Sequence, residues 1–140
     1  MPLVRVSVDG STTPEQRGAI AEAIYEAMRA SIGIPEGDKF ILVTPHGPGE
    51  VFADPAYMGM QRTSRLILVQ IFLSKGRTVE QKQALFMQIA ANLHTSVGVS
   101  TDDVMTVLTE NTYVDWSFGK GEAQYVLHPP AWVKQAGEGS

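Results

Sequence analysis

Apolar residues recur every four positions in two stretches of this chain: Ile20, Ile24, Met28 and Ile32, then Leu85, Ile89, Leu93 and Val97. Such spacing keeps one face of a helix apolar, so two amphipathic helices are predicted, with Ala23 and Ala27 widening the first stripe. Both stretches carry matching punctuation. Thr13, Pro14 and Gln16 form a capping-box pattern with proline at the first helical position, and Thr78 with Gln81 repeats the box. Gly33 and Gly98 stop the helices, and Pro35 prevents the first from resuming.

Strand-like runs flank the helices: "LVRVSV", "KFILVTP", "RLILVQIFL" and "VMTVLTE". The inner two are almost continuously apolar, which suggests burial on both faces. The order is therefore strand, helix, strand, given twice.

The two halves are copies of one unit. "TPEQRGAIAEAIYEAMRASIGIPEGD" and "TVEQKQALFMQIAANLHTSVGVSTDD" begin at Thr13 and Thr78, a shift of 65 residues that also pairs Leu3 with Leu68 and Gly33 with Gly98. The same shift pairs Asp38 with Asp103 and Thr44 with Thr109. The expected fold class is α+β, with βαβ repeats over about 2–46 and 67–111 forming a four-stranded mixed sheet with two helices on one face. Its other face then needs a cover, and an oligomer is the simplest one.

Between the units, "HGPGEVFADPAYMGMQRTS" reads as an ordered loop, because Val51, Phe52, Tyr57 and two methionines interrupt its Gly and Pro residues. After the second unit, alternating aromatics around "GKG" suggest a short hairpin that closes a single domain over 1–126. Residues 127–140 are expected to form a tail, with "KQAGEGS" frayed. Within it, "HPPAWVKQ" either caps a neighbouring subunit through Trp132 or extends into solvent.

Composition narrows the partners. With 44% hydrophobic and 19% charged residues, the 140-residue chain is globular in character. Eleven basic against fifteen acidic residues, net charge −4 and no basic cluster, argue against a nucleic-acid partner. "LILVQIFL" is too short to span a membrane and no signal-peptide pattern opens the chain, so a cytoplasmic protein is the expectation. The absence of cysteine excludes thiolate chemistry and disulfides. His46, His94 and His128 lack metal-ligand spacing, so no metal is expected, and no cofactor-binding fingerprint occurs.

Three places could carry chemistry. Pro2 follows Met1 directly, and removal of the initiator would leave a prolyl secondary amine able to act as acid or base near neutral pH. Proline is also tolerated at the first position of any strand. Asp38 opens the second strand, close to Pro2 if strands one and two pair in parallel; as the repeat mate of Asp103, it is equally explained as a shared turn residue. Lys75 and Arg77 lie in "SKGRT" before the second helix, where they form either an anion site for a carboxylate or a solvated turn.

Together, Pro2, the tandem βαβ units and the cations after the third strand resemble the tautomerase superfamily. "GIPEGDKF", "TPHGPGE", "GRTVEQKQ" and above all "TENTYVDWSFGKGEAQYV" are similar to the malonate semialdehyde decarboxylase family, a likeness running to about Val126. The resemblance implies a homotrimer and a cofactor-free reaction on a small carboxylate, releasing acetaldehyde and carbon dioxide from malonate semialdehyde. By the same resemblance Pro2 is the catalytic acid, Asp38 its partner and Arg77 the carboxylate ligand, while Trp116 and Phe118 form an apolar wall. Some relatives carry two arginines in the turn where this chain has Lys75 and Arg77, which leaves Lys75 a lesser contact or none. The same residues would serve a tautomerase or hydratase of 2-oxo or unsaturated acids such as phenylpyruvate. A non-enzymatic trimeric binding protein could use the same scaffold.

Overall fold

The computed structural model describes residues 1–133. Its main elements are β1 (Leu3–Asp9), α1 (Pro14–Ile32), β2 (Ile41–His46), β3 (Ile67–Ser74), α2 (Val79–Val97), β4 (Val104–Asn111) and a short α3 (Gln124–Leu127). Both capping boxes form: the hydroxyls of Thr13 and Thr78 accept from the Gln16 and Gln81 amides, and the glutamine side chains accept from the two cap amides. Gly33 and Gly98 close the helices in the left-handed conformation, at φ 64° and 71°.

The sheet order is β2-β1-β3-β4. β1 pairs in parallel with β2 and β3 with β4, as each helical crossover requires, while β1 meets β3 antiparallel at the centre with Val6 opposite Val69. This arrangement corrects one expectation. "KFILVTP" is an edge strand rather than an inner one, and Leu42 on it is 56% exposed, because the repeat joins the two units through β1 and β3.

Alternation does the sorting of side chains. Val4, Val6 and Val8 of β1 and Ile67, Val69, Ile71 and Leu73 of β3 point at the helices, which return Ile20, Ile24, Met28, Leu85, Ile89 and Leu93. Truncating any of the large fully buried side chains to alanine costs about 2–5 kcal/mol. The opposite face carries neither α1 nor α2 and leaves Leu42, Met105 and Val107 exposed.

Two connecting segments differ from expectation. The loop before β3 leaves Val51, Phe52, Tyr57 and Met58 exposed, so its own apolar packing does not order it. Polar bonds hold it: the Gln61 amide donates to Asp102 (2.8 Å), the Thr63 amide to Asp103 (2.7 Å) and the Arg62 amide to the Pro55 carbonyl (2.9 Å). The expected hairpin contracts to one bridge, Gly119 with Glu122, because Gly119 and Gly121 and a left-handed Lys120 crowd the turn and α3 follows at once. Beyond Val126, the expected start of the tail, Trp132 packs edge-on against Tyr125 with ring centroids 5.2 Å apart, and Val133 is buried. "KQAGEGS" lies outside the described residues. Among the described residues, no helix is long and apolar enough to cross a membrane.

Candidate active site

One end of the sheet gathers the candidate residues. β1 and β2 run in parallel from this end, and the antiparallel β3 finishes there, so Pro2, Asp38 and the turn after Ser74 converge although they lie far apart in sequence. Asp38 is buried at 8% exposure, and its Oδ2 lies 3.6 Å from the Met1 amine. With Met1 in place the Pro2 nitrogen is an amide, and the Met1 amine stands for the prolyl amine of a processed chain. Asp38 Oδ1 is also buried and has no hydrogen-bond partner.

The repeat supplies an internal control. Asp103, at the same place in the second unit, is equally buried but fully engaged: its Oδ1 accepts from the Thr63 amide (2.7 Å) and its Oδ2 from the Thr63 hydroxyl (2.6 Å). The chain entering β3 provides that threonine. In the first unit the corresponding carboxylate faces the terminal amine instead, so Asp103 is a structural turn residue and Asp38 retains an oxygen free for a ligand.

The turn brings Arg77 within the electrostatic reach of Asp38. Gly76 adopts φ 132°, a conformation that side chains avoid, and the chain folds back so that Arg77 Nη1 donates to the Ser74 carbonyl at 3.0 Å. Burial lowers the Arg77 pKa, opposed by the negative fields of Asp38 and Glu110. A guanidinium remains charged throughout the ordinary pH range. Lys75 is not brought in: its amide donates to the Asn111 carbonyl (2.8 Å) and its side chain is exposed.

The amine and the carboxylate shift toward each other. Burial pushes the Asp38 carboxyl above the usual range, more strongly than the amine and Arg77 pull it down. Burial likewise pulls the Met1 amine below its usual value, against the raising effect of Asp38 and with help from Arg77. Desolvation thus outweighs attraction at both groups and brings their proton affinities together.

An aromatic wall closes the site. Trp116 and Phe118 stack with ring centroids 5.8 Å apart, Phe118 meets Tyr125 edge-on at 4.9 Å and Phe40 at 6.5 Å. Trp116 is pinned by its Nε1–H, which donates to Asn111 Oδ1 at 2.8 Å. Tyr125 lies within the segment "TENTYVDWSFGKGEAQYV" but is not singled out by it; it sits on the short α3. Its hydroxyl pKa is raised by burial and by Asp38, against Arg77, which keeps it a proton donor.

A cavity of about 340 Å³ occupies the repeat-related place at the other end of the sheet. There Ile67 stands where the first unit has Pro2, and Thr12 where the second has Arg77. Arg65 lines it but donates to the Val97 carbonyl at 2.8 Å. Its lining residues include no terminal amine.

The chain is similar in sequence and fold to known proteins. Residues 38–119 match the family model described as "Tautomerase enzyme". The probable tautomerase YusQ of Bacillus subtilis (strain 168) is 35% identical over 90% of this chain and 99% of its own. The structure of FG41 malonate semialdehyde decarboxylase inhibited by 3-bromopropiolate is 39% identical, with a TM-score of 0.85 over 92% of this chain and 98% of that one. A fused 4-OT described as a symmetric trimer is 25% identical, with a TM-score of 0.75 over 90% of this chain and 98% of its own. The family match, the relative and the two-unit sheet agree: this chain belongs to the tautomerase family.

Proposed function

We propose that the protein decarboxylates malonate semialdehyde (3-oxopropanoate) to acetaldehyde and carbon dioxide, with the Pro2 amine as acid after removal of Met1. The observation that carries the reading is the buried Asp38 carboxylate between the terminal amine and the field of Arg77, with one oxygen unpaired. The 39% identity to a malonate semialdehyde decarboxylase supports the choice of substrate.

In this mechanism Arg77 grips the substrate carboxylate and aligns it. As the C1–C2 bond breaks, its electron pair moves toward the carbonyl, and the developing charge on oxygen is stabilised by the protonated Pro2 amine. The field of Asp38 favours the cationic form of that amine, against the opposing effect of burial. Trp116, Phe118 and Tyr125 keep water from the carboxylate, favouring departure of neutral carbon dioxide, and the remaining C2 carbanion takes up one proton. No cofactor enters the balance.

A trimer completes the reading. Leu42, Met105 and Val107 on the uncovered face and Phe52, Tyr57 and Met58 on the loop are apolar groups that neighbouring copies would bury, and a fused 4-OT relative is described as a trimer.

A second reading, keto–enol tautomerisation, has its own observation in favour: burial lowers the terminal amine, which suits a general base. The two readings separate in one experiment series. Protein shown by intact mass to lack Met1 is assayed for acetaldehyde release from 3-oxopropanoate beside Arg77→Ala, and the Pro2 amine is titrated by ¹⁵N NMR. Turnover that collapses in the variant, with an amine pKa above the ordinary value of about 8, supports decarboxylation. No acetaldehyde and an amine pKa well below that value would replace it with tautomerisation.

A further inference from the structure

Among the described residues, three buried side-chain polar atoms lack a hydrogen-bond partner, and two of them, Asp38 Oδ1 and Ser74 Oγ, belong to segments that meet at this end of the sheet. Ser74 is the last residue of β3 and only 2% exposed. Its carbonyl accepts from Arg77 Nη1 at 3.0 Å, and its strand partner is Asn111, the residue that pins Trp116. Its hydroxyl has no partner. A buried hydroxyl without a partner is destabilising, and its persistence calls for a reason.

Register supplies the reason. Leu73 points into the core, so Ser74 leaves the strand on the opposite side. The β1–β3 pairing sets Leu3 opposite Phe72; continued for two residues, it sets Met1 opposite Ser74 and on the same side. With Met1 removed, that register leaves Ser74 opposite the vacated position, one residue along from the pairing of Pro2. The nearby cation is Arg77, because Lys75 is turned to solvent.

We infer that Ser74 is a substrate-binding residue, its hydroxyl donating to the carboxylate of the short oxo acid that Arg77 holds. The inference rests on the carboxylate reading of the Arg77 site. A hydroxyl in place of a second cation has a chemical consequence: it orients the carboxylate without adding charge that would hold it back from leaving as carbon dioxide.

The test uses protein freed of Met1. Ser74→Ala should raise KM for 3-oxopropanoate about tenfold, the value of one hydrogen bond to a charged group, with kcat changed less than about twofold. Its melting temperature should stay level or rise, because an unpaired hydroxyl has been removed. Ser74→Cys gives a second readout, since the chain has no other cysteine. Malonate should slow modification of that thiol by methyl methanethiosulfonate, and adding Arg77→Ala should abolish the protection. An unchanged KM, a fall in melting temperature, or no protection by malonate while Arg77→Ala still stops turnover would overturn the role of Ser74 alone. Full turnover by Arg77→Ala would overturn the carboxylate reading and this one with it.

Discussion

Replacing Asp38 and Asp103 separately by asparagine should move stability in opposite directions. Both carboxylates are buried and occupy the same position in their repeats. Asp103 accepts two hydrogen bonds from Thr63, at 2.7 and 2.6 Å, and an asparagine there must turn an NH2 group toward one of those donors. Loss of one such bond to a charged acceptor costs about 1.5–3 kcal/mol. At Asp38 the penalty of burial exceeds the attraction of the amine and Arg77, and Oδ1 has no partner. Discarding that charge should therefore stabilise the fold, by about 1 kcal/mol if the lower end of the cost of an unpaired buried acceptor applies. For a chain of this size that is a rise of about 3–5 °C in melting temperature, while Asp103→Asn should fall by more.

The pH dependence carries the same sign. An acid whose folded pKa is raised contributes stability that is fully present below its unfolded pKa, about 3.9, and is lost as pH rises through the folded pKa. The advantage of Asp38→Asn over the parent should accordingly be absent in strong acid and grow as pH increases above about 4. Thermal unfolding of the parent and both variants from acid to neutral pH measures this directly. Activity should separate the residues in the other sense: Asp38→Asn loses about 10²-fold in kcat/KM, as for removal of an acid–base partner, and Asp103→Asn keeps it once folded. Equal destabilisation by both variants, with equal activity, would refute the distinction and leave Asp38 a turn residue like its mate.

Other substitutions address the remaining parts of the site. Arg77→Ala should reduce kcat/KM by at least about 10²-fold, the loss expected of a pre-positioned charge, whereas Lys75→Ala should cost less than about threefold; steady-state kinetics with 3-oxopropanoate compares them. Asn111→Ala frees the Trp116 indole from its 2.8 Å bond and should lower kcat more than melting temperature, checked by kinetics beside the tryptophan emission spectrum. Val107→Glu, on the uncovered sheet face, should shift the protein from trimer to monomer in sedimentation velocity without altering the far-UV spectrum; a trimer that persists unchanged would place the interface elsewhere.

Helix limits, the two units and the one-sided placement of helices were all legible in the sequence, because each follows from local rules. A threonine cap, a four-residue apolar stripe and a terminal glycine act over one or two turns, and the shift of 65 residues makes every such feature recur. Strand order was less legible. "KFILVTP" has the apolar run of a central strand, yet burial depends on which neighbours a strand acquires, and the antiparallel joining of β1 to β3 leaves it at the edge. The exposed loop residues mislead in the same way, since an apolar side chain records that it will be covered without recording by which chain.

The candidate site divides along the same line. Pro2, Asp38 and Arg77 could be named from position and chemistry, whereas Tyr125 and Ser74, although inside the segments "TENTYVDWSFGKGEAQYV" and "SKGRT", could not, because residue type alone does not tell a buried hydroxyl from a solvent-facing one. Repetition itself hides the decisive difference. Asp38 and Asp103 are interchangeable as letters, each following a helix-stopping glycine, and the distinction lies in Thr63, which reaches Asp103 from 40 residues upstream. A duplicated unit begins with two equivalent ends. Here one end has its carboxylate paired, Ile67 in place of proline and Thr12 in place of arginine, and the other has its carboxylate half-free beside an amine and a guanidinium. Stability at the first end and the proposed chemistry at the second are therefore alternative uses of one geometry, separated by what the adjoining chain supplies to the aspartate.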